Sequence, residues 1–362
     1  MKNVAIMTYH DMLNYGSFFQ MFALQEMLKS IGCNVKVINY KPNSNKFKKA
    51  VNNIKFLKYI WLLVRNDRLW FEFNRCYDTK INKTRVVSTL NEFKKLNSEF
   101  DIFIAGSDQI WSPNHYDIHY FLDYVDDTKK RISYAPSVVI DDFSKQQIEE
   151  IKKELDLFYA VSCREVTSNN ILFKNFGINS TVVLDPTLAV NLDFYYSIRS
   201  EKTQLYANDI LCYFLGDNDY SKYYDDIKKK YGYKKNINIC IDNKITSNIL
   251  NLNDVNPFDF INYIINSKII LTDSFHGVAL SIKLNKQFIY FDRFRKDDPI
   301  CQNSRIYDLF NLLSIKNVSY SDYRKGNYKP IDYTKVNNIL NKEMQKSSEF
   351  LCFTILEKKY DK

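Results

Sequence analysis

VAIMTYHDMLNYGSFFQMFALQEMLKSIGCNVKVINY, residues 4–40, is the stretch that decides the fold class. It opens with a short apolar run, 4–9, bounded by the polar loop 11–17. An apolar repeat of helical period follows over 18–31 and stops at Gly32, the residue type that most often ends a helix in the left-handed conformation. A second short run rich in β-branched residues, 35–40, comes next. Strand, loop, helix, glycine stop and strand make a βαβ unit, whose two strands lie parallel in one sheet.

The alternation continues outward from this unit. Residues 101–105 and 131–135 read as strands, 145–155 as a helix, 157–162 as a strand, 166–176 as a helix stopped by Gly177, and 181–184 as a strand before Asp185-Pro186. Residues 188–205 are polar and irregular. A second series then predicts strands at 209–215, 237–241, 268–272 and 287–291, with helices at 221–231, 257–266 and 278–284. At 362 residues the chain exceeds the roughly 250–300 that one core serves. The expected architecture is α/β: two Rossmann-like domains facing a cleft, over 1–190 and 205–330, with a helical insertion at about 47–80 and a helical segment at 331–362.

The net charge of +9 arises from 51 basic and 42 acidic residues spread along the chain. A nucleic-acid binder concentrates such charge in a stripe, so no nucleic-acid partner is expected, although the excess favours anionic substrates or membrane surfaces. Seven cysteines at wide spacings, without a CxxC, argue against a disulfide framework and a zinc site, and no metal is expected. The N-terminal apolar run meets Asp11 too soon for a signal peptide, and no apolar run approaches the ~18–20 residues that span a bilayer. The expected location is the cytoplasm. Residues 47–72 combine Lys55, Lys58 and Arg65 with an apolar face of Phe56, Leu57, Ile60, Trp61 and Val64. Such a helix could lie in the headgroup layer, but packing of this face on the N-terminal domain is the favoured alternative, because soluble amphipathic helices look the same.

Ligands of open α/β sheets bind at the carboxyl ends of the strands, so the residues there are the candidates. Asn14-Tyr15-Gly16-Ser17 follows the first strand; Gly16 allows close approach to the backbone, and Ser17 has a helix cap as its plainer role. Gly106-Ser107-Asp108-Gln109-Ile110-Trp111 follows the strand at 101–105. Asp108 and Gln109 suit sugar hydroxyls and Trp111 suits a sugar face; the alternative is a capped helix with Trp111 in the core. Arg164 and Glu165 follow the strand at 157–162, where an arginine suits phosphate or carboxylate and a salt bridge is the alternative. Asp273-Ser274-Phe275-His276-Gly277 is the most informative stretch, because it sets one of only four histidines between a buried strand and a helix.

Together the segments NYGSFFQMFALQ (14–25), AGSDQIW (105–111), SYAPS (133–137), SCREVTS (162–168), VLDPT (183–187), YFLGD (213–217), LTDSFHGVALSI (271–282) and NSRIYDLF (303–310) resemble the polysaccharide pyruvyl transferase family. The resemblance implies a fold like the B-type glycosyltransferases, with acceptor groups in the N-terminal domain and donor groups in the C-terminal one. It implies transfer of a pyruvyl group from phosphoenolpyruvate to two hydroxyls of a sugar, in a surface polysaccharide or its lipid-linked precursor, as a cyclic ketal. Phosphoenolpyruvate is then a co-substrate, and no other cofactor is expected. On this reading His276 is the general acid and Asp108 orients the acceptor hydroxyl. Arg164, Ser274, Gly277 and Arg305 hold the donor, and Asn14, Gly16, Ser17, Gln109 and Trp111 line the acceptor side. Some family members carry Arg-Leu-His where this chain has Ser274-Phe275-His276, which leaves the donor cation to Arg305 or Lys283. A nucleotide-sugar glycosyltransferase of the same fold and a non-catalytic sugar-binding protein are the alternatives.

Overall fold

The structure is a computed structural model that describes residues 1–42, 67–199, 206–216, 221–241, 249–295, 297–298 and 301–357. The chain divides into two compact units. The first comprises Met1–Met12, Ser17–Val190 and Lys342–Lys362; the second comprises Leu13–Gly16 and Asn191–Asn341.

In the first unit β1 (Asn3–Met7), β2 (Asn34–Tyr40), β3 (Lys83–Val87), β4 (Ile102–Ala105) and β5 (Lys130–Ser133) form one sheet in the order β3-β2-β1-β4-β5. Every pairing is parallel. β4 is buried along its whole length, as expected of a parallel strand covered on both faces. Among the described residues the α-helices of this unit include α1 (Tyr15–Ser30), α2 (Arg68–Lys80), α3 (Leu90–Lys94), α4 (Lys145–Leu155), α5 (Val166–Phe176) and α6 (Pro186–Ala189). β6 (Ser162–Cys163) and β7 (Thr181–Val182) form a separate parallel pair. Phe93, Phe103, Trp111, Phe121, Tyr124, Ile151 and Leu172 belong to a core cluster of this unit.

The second unit repeats the topology. It holds α7 (Leu192–Ile198), β8 (Asn208–Tyr213), α8 (Ser221–Tyr231), β9 (Asn236–Ile239), β10 (Leu250–Leu252), α9 (Pro257–Ile265), β11 (Ser267–Thr272), α10 (Phe275–Lys283), β12 (Gln287–Tyr290), α11 (Ser304–Leu312) and α12 (Tyr320–Arg324). Its sheet runs β10-β9-β8-β11-β12, again all parallel. In each sheet the order reverses between the first and fourth strands, β1/β4 and β8/β11. Crevices at such switch points are where open α/β sheets take ligands.

Two helices are divided between the units. The first two residues of α1, Tyr15 and Gly16, belong with the second unit: Tyr15 stacks on Phe260 with ring centres 4.1 Å apart and donates its hydroxyl to the Val255 carbonyl at 2.8 Å. The last helix, α13 (Tyr333–Leu356), joins the first unit from Lys342 onward, where the Ser347 hydroxyl accepts a hydrogen bond from the Leu184 amide. Residues 331–362 therefore form no unit of their own.

Several local expectations change. α1 starts at Tyr15 and α10 at Phe275, each three residues before the apolar repeat becomes visible. Only the end of 157–162 is a strand; Leu157 and Tyr159 are about half exposed, so that apolar run lies on the surface. β3 and β10 go unseen in the sequence because they are short and mix polar with apolar residues. The positions proposed for membrane contact, 55–65, lie outside the described residues. Of 47–72 only 67–72 is described, where Asp67 caps α2 and Leu69 is buried. Among the described residues no helix is long and apolar enough to cross a membrane. All seven cysteines are free thiols.

Candidate active site

The second unit builds its site where β11 ends. Ser274 caps α10, its hydroxyl accepting from the Gly277 amide at 3.3 Å, and its own amide donates to the Thr272 hydroxyl at 3.1 Å. This tight strand-to-helix turn explains Gly277: a Cβ there would stand 2.3 Å from Thr272 Oγ1. The turn sets His276 in the first turn of α10, 7% exposed. Its ring edge lies against the backbone of Gly16, where an added Cβ would come within 2.0 Å of Nδ1 and 2.3 Å of Cγ. Gly16 and His276, 260 positions apart in the sequence, thus define each other's place within this unit. Asn14, half-buried, precedes α1 on the same segment.

Asp273 ties three strand ends together. Its carboxylate accepts the amides of Leu215 at 2.8 Å and Gly216 at 2.7 Å, beyond β8. Arg293, beyond β12, donates to the Asp273 carbonyl at 3.1 Å and pairs with its carboxylate at 3.5 Å. With its side chain 18% exposed, Arg293 is an oriented cation in the neighbourhood of His276 along the chain and the sheet. The sequence reading missed both roles, although an acid directly after one strand and a Leu-Gly pair directly after its sheet neighbour were the available signal. Arg305, on α11, is buried with its guanidinium 5.8 Å from the centre of the Phe275 ring. Lys283, in the last turn of α10, is buried, and this pushes its ammonium down to about 8.

In the first unit Asp108 follows β4 in the left-handed conformation at φ 79°, a costly state for a non-glycine residue that surrounding contacts must enforce. They do so from three sides: Ser17 Oγ donates to Asp108 Oδ2 at 2.8 Å, the Gln109 amide to Oδ1 at 2.9 Å, and the Ser137 amide to the Asp108 carbonyl at 2.8 Å. Ser17 is therefore inside α1, and its hydroxyl serves Asp108 rather than capping the helix. The Gln109 carbonyl accepts from Tyr9 at 3.2 Å. Trp111 is in the core, 1% exposed, stacked on Phe121 at 5.1 Å and donating Nε1–H to Tyr120; its indole presents no face to an acceptor in this arrangement.

Arg164 takes the salt-bridge alternative. Its Nε donates to Glu165 at 3.1 Å and Nη1 to Asp185 at 3.0 Å, all three residues being almost fully buried. Burial disfavours its charge, but Glu165, Asp185 and Asp108 outweigh that and hold the guanidinium above its ordinary value. Asp185 also accepts from the Ser107 and Thr187 hydroxyls, and Glu165 from those of Ser137 and Ser168. Among the described residues, no group of three His, Cys, Asp or Glu side chains is arranged to hold a metal ion.

The sequence model described as polysaccharide pyruvyl transferase matches residues 14–293, which includes Gly16, Asp108, Asp273, His276 and Arg293. The chain belongs to the polysaccharide pyruvyl transferase family. None of the curated proteins matches it. Solved structures similar to this family member share its fold at low identity. The UDP-GlcNAc 2-epimerase from Methanocaldococcus jannaschii is 12% identical with a TM-score of 0.55, covering 99% of this chain and 100% of its own. The UDP-GlcNAc 2-epimerase from Neisseria meningitidis, bound to UDP-GlcNAc, gives the same identity, coverage and TM-score. At this identity the likeness is one of architecture: two Rossmann-like domains, the B-type glycosyltransferase arrangement, in a transferase family that acts on polysaccharides.

Proposed function

We propose that this protein transfers a pyruvyl group from phosphoenolpyruvate to two hydroxyls of one sugar, in a surface polysaccharide or its lipid-linked precursor. The observation that carries the reading is the seating of His276, the residue this chain keeps where family members resemble Arg-Leu-His, in the first turn of α10 against a side-chain-free Gly16. A buried helix start favours an anionic donor, and an imidazole fixed in place against Gly16 is positioned to act as its general acid.

The chemistry assigns each residue a task. His276 delivers a proton to the methylene carbon of the donor, which becomes a methyl group as positive charge develops at C2. The first sugar hydroxyl adds to C2 and releases its proton. Phosphate then leaves, and the second hydroxyl closes the ring and releases the second proton. Arg293, oriented by Asp273, and Arg305 supply the cations for the donor's phosphate and carboxylate, in place of the arginine that Ser274 replaces. Ser274 and Gly277 shape the turn that presents His276. Asp108, fixed by Ser17, orients an acceptor hydroxyl, with Asn14 and Gln109 as further acceptor-side groups. Arg164 joins the loops after β6 and β7, through Glu165 and Asp185, instead of holding the donor.

Ligand-dependent melting tests the donor. Phosphoenolpyruvate raises the melting temperature of the wild-type protein, and UDP-GlcNAc does not. Protection by the nucleotide sugar alone would replace this reading with glycosyl transfer, and protection by neither would favour a non-catalytic sugar-binding protein.

A further inference from the structure

A cleft with three lysines in its lining lies at the opposite end of the second sheet from His276, at the amino ends of β9 and β10. It measures about 320 Å³ and is lined by Tyr224 and Lys228 of α8, Lys234 and Lys235 of the following loop, Asn236 and Ile237 of β9, and Ile249 and Leu250. Among the described residues β10 is the edge strand of the sheet.

Three features give the cleft a chemical preference. First, it gathers three ammonium groups, and none of them is ion-paired among the described residues. Lys228 lies over the Tyr224 ring at 5.6 Å, while Lys234 and Lys235 are exposed. Second, the lysine loop is held in place. Asp209 Oδ2 accepts the backbone amides of Lys234 at 2.8 Å and Lys235 at 3.0 Å, and its other oxygen pairs with Lys268 at 2.7 Å. That acid is thus occupied with fixing the backbone and neutralising a different lysine. Third, the lining contains a buried polar pair with hydrogen-bonding capacity to spare. Tyr224 is 1% exposed and Asn236 7%; the two side chains adjoin, and Asn236 Oδ1 has no hydrogen-bond partner. Buried polar atoms without partners cost about 1–3 kcal/mol each, so a ligand or water that satisfies them is stabilised there. Burial pushes the Tyr224 hydroxyl up to about 12, so it keeps its proton at neutral pH.

We infer that this cleft binds a phosphorylated polyol. The lysines take the phosphate, a polyol hydroxyl donates to Asn236 Oδ1, and the Tyr224 hydroxyl completes the polar set. Ile237, Ile249 and the half-exposed Leu250 wall the carbon skeleton. A free sugar phosphate and the glycerophosphate headgroup of a lipid share this chemistry. The site is separate from the donor site and does not depend on the reading of His276.

Calorimetry with sn-glycerol 3-phosphate on the full chain tests it, with glycerol as the uncharged control. Binding by the phosphate ester and not by glycerol is expected, weakened about tenfold or more in Lys234→Ser/Lys235→Ser, the usual effect of losing charge-assisted contacts. Tyr224→Phe, which keeps the ring packing, also weakens binding, and His276→Gln leaves it unchanged. Co-sedimentation with phosphatidylcholine–phosphatidylglycerol vesicles, against phosphatidylcholine alone, separates the sources. Vesicle binding lost in the lysine variant assigns the headgroup, and binding of the soluble ester without vesicle binding assigns the metabolite. No binding of the ester, binding that the lysine variant and Tyr224→Phe leave intact, or competition from phosphoenolpyruvate that disappears in His276→Gln would overturn the inference. Failure of phosphoenolpyruvate to protect the protein would sink the proposed transfer and leave this result standing.

Discussion

Substituting Gly16 by Ala tests the placement of the proposed general acid, His276, without replacing it. The new methyl would stand 2.0 Å from His276 Nδ1, and ordinary van der Waals contact begins at 3.4 Å, so the ring must retreat by about 1.4 Å. His276 Cβ would also stand only 2.8 Å away, so a ring rotation alone does not clear the clash and the turn must shift. Overpacking of this kind costs about 1–3 kcal/mol of stability. The larger consequence is catalytic, because a misplacement of about 1 Å at a reacting group costs on the order of a hundredfold in rate. Turnover of phosphoenolpyruvate with acceptor, read as phosphate released, falls by about that factor in a variant that still melts cooperatively. His276→Gln falls by about two to four orders of magnitude. The two substitutions act on one imidazole, so the double variant is no slower than His276→Gln, a non-additivity expected of coupled residues. Normal turnover in a folded Gly16→Ala protein would refute the reasoning, as would a double variant slower by the product of the two effects.

Arg293→Ala raises KM for phosphoenolpyruvate by about tenfold or more, Arg293→Lys recovers only part of this, and Asp273→Asn gives the same KM defect by releasing Arg293; steady-state kinetics distinguish these outcomes from a loss of kcat alone. Arg164→Ala leaves Glu165 and Asp185 buried without their cation and costs about 3–5 kcal/mol in denaturant unfolding, with phosphoenolpyruvate affinity preserved in the folded fraction. Asp209 contributes stability that depends on pH in a defined direction. Burial works to raise it, but Lys268 and the amides of Lys235 and Lys234 prevail and hold its carboxyl at about 2. A depressed folded value means that the contribution is complete above the unfolded value of about 4 and is lost as pH falls through about 2. The difference in urea midpoint between wild type and Asp209→Asn therefore narrows over that interval; a constant difference would show that the carboxylate stabilises nothing.

The elements legible in the sequence are those with long periodic patterns or clear stops. The parallel class follows from one βαβ stretch, and the helices at 145–155, 166–176 and 221–231 have the bounds that their apolar spacing indicates. The edge strands β3 and β10 were not legible, because an edge strand of three to five residues needs no continuous apolar run. Site residues were legible as types at strand ends, but their partners were not. An arginine beside a glutamate reads equally as a ligand cation or an ion pair, and only the fold brings Asp185 to Arg164. A Trp after a Gly-Ser-Asp-Gln loop reads as a sugar platform until Phe121 is found stacked on it. Gly16 reads from the sequence as a point of close backbone approach; what approaches it is a residue 260 positions away.

The departure at Ser274 has a consistent physical account. The residue at the end of β11 must stop a strand and start a helix within two positions, and a serine does this directly through its hydroxyl on the Gly277 amide. An arginine at that position brings charge to the donor but forgoes the cap, typically about 1 kcal/mol of helix stability. On the proposed function this chain keeps the cap and draws its donor cation from the neighbouring strand: Asp273 accepts the Leu215 and Gly216 amides, one oxygen each, while it also holds Arg293. On that account Ser274→Arg restores donor charge at the expense of the cap. Paired with Arg293→Ala, it recovers phosphoenolpyruvate affinity while lowering the melting temperature. If the double variant stays as weak as Arg293→Ala alone, the two positions do not serve the same anion, and the exchange of cation between strands is wrong.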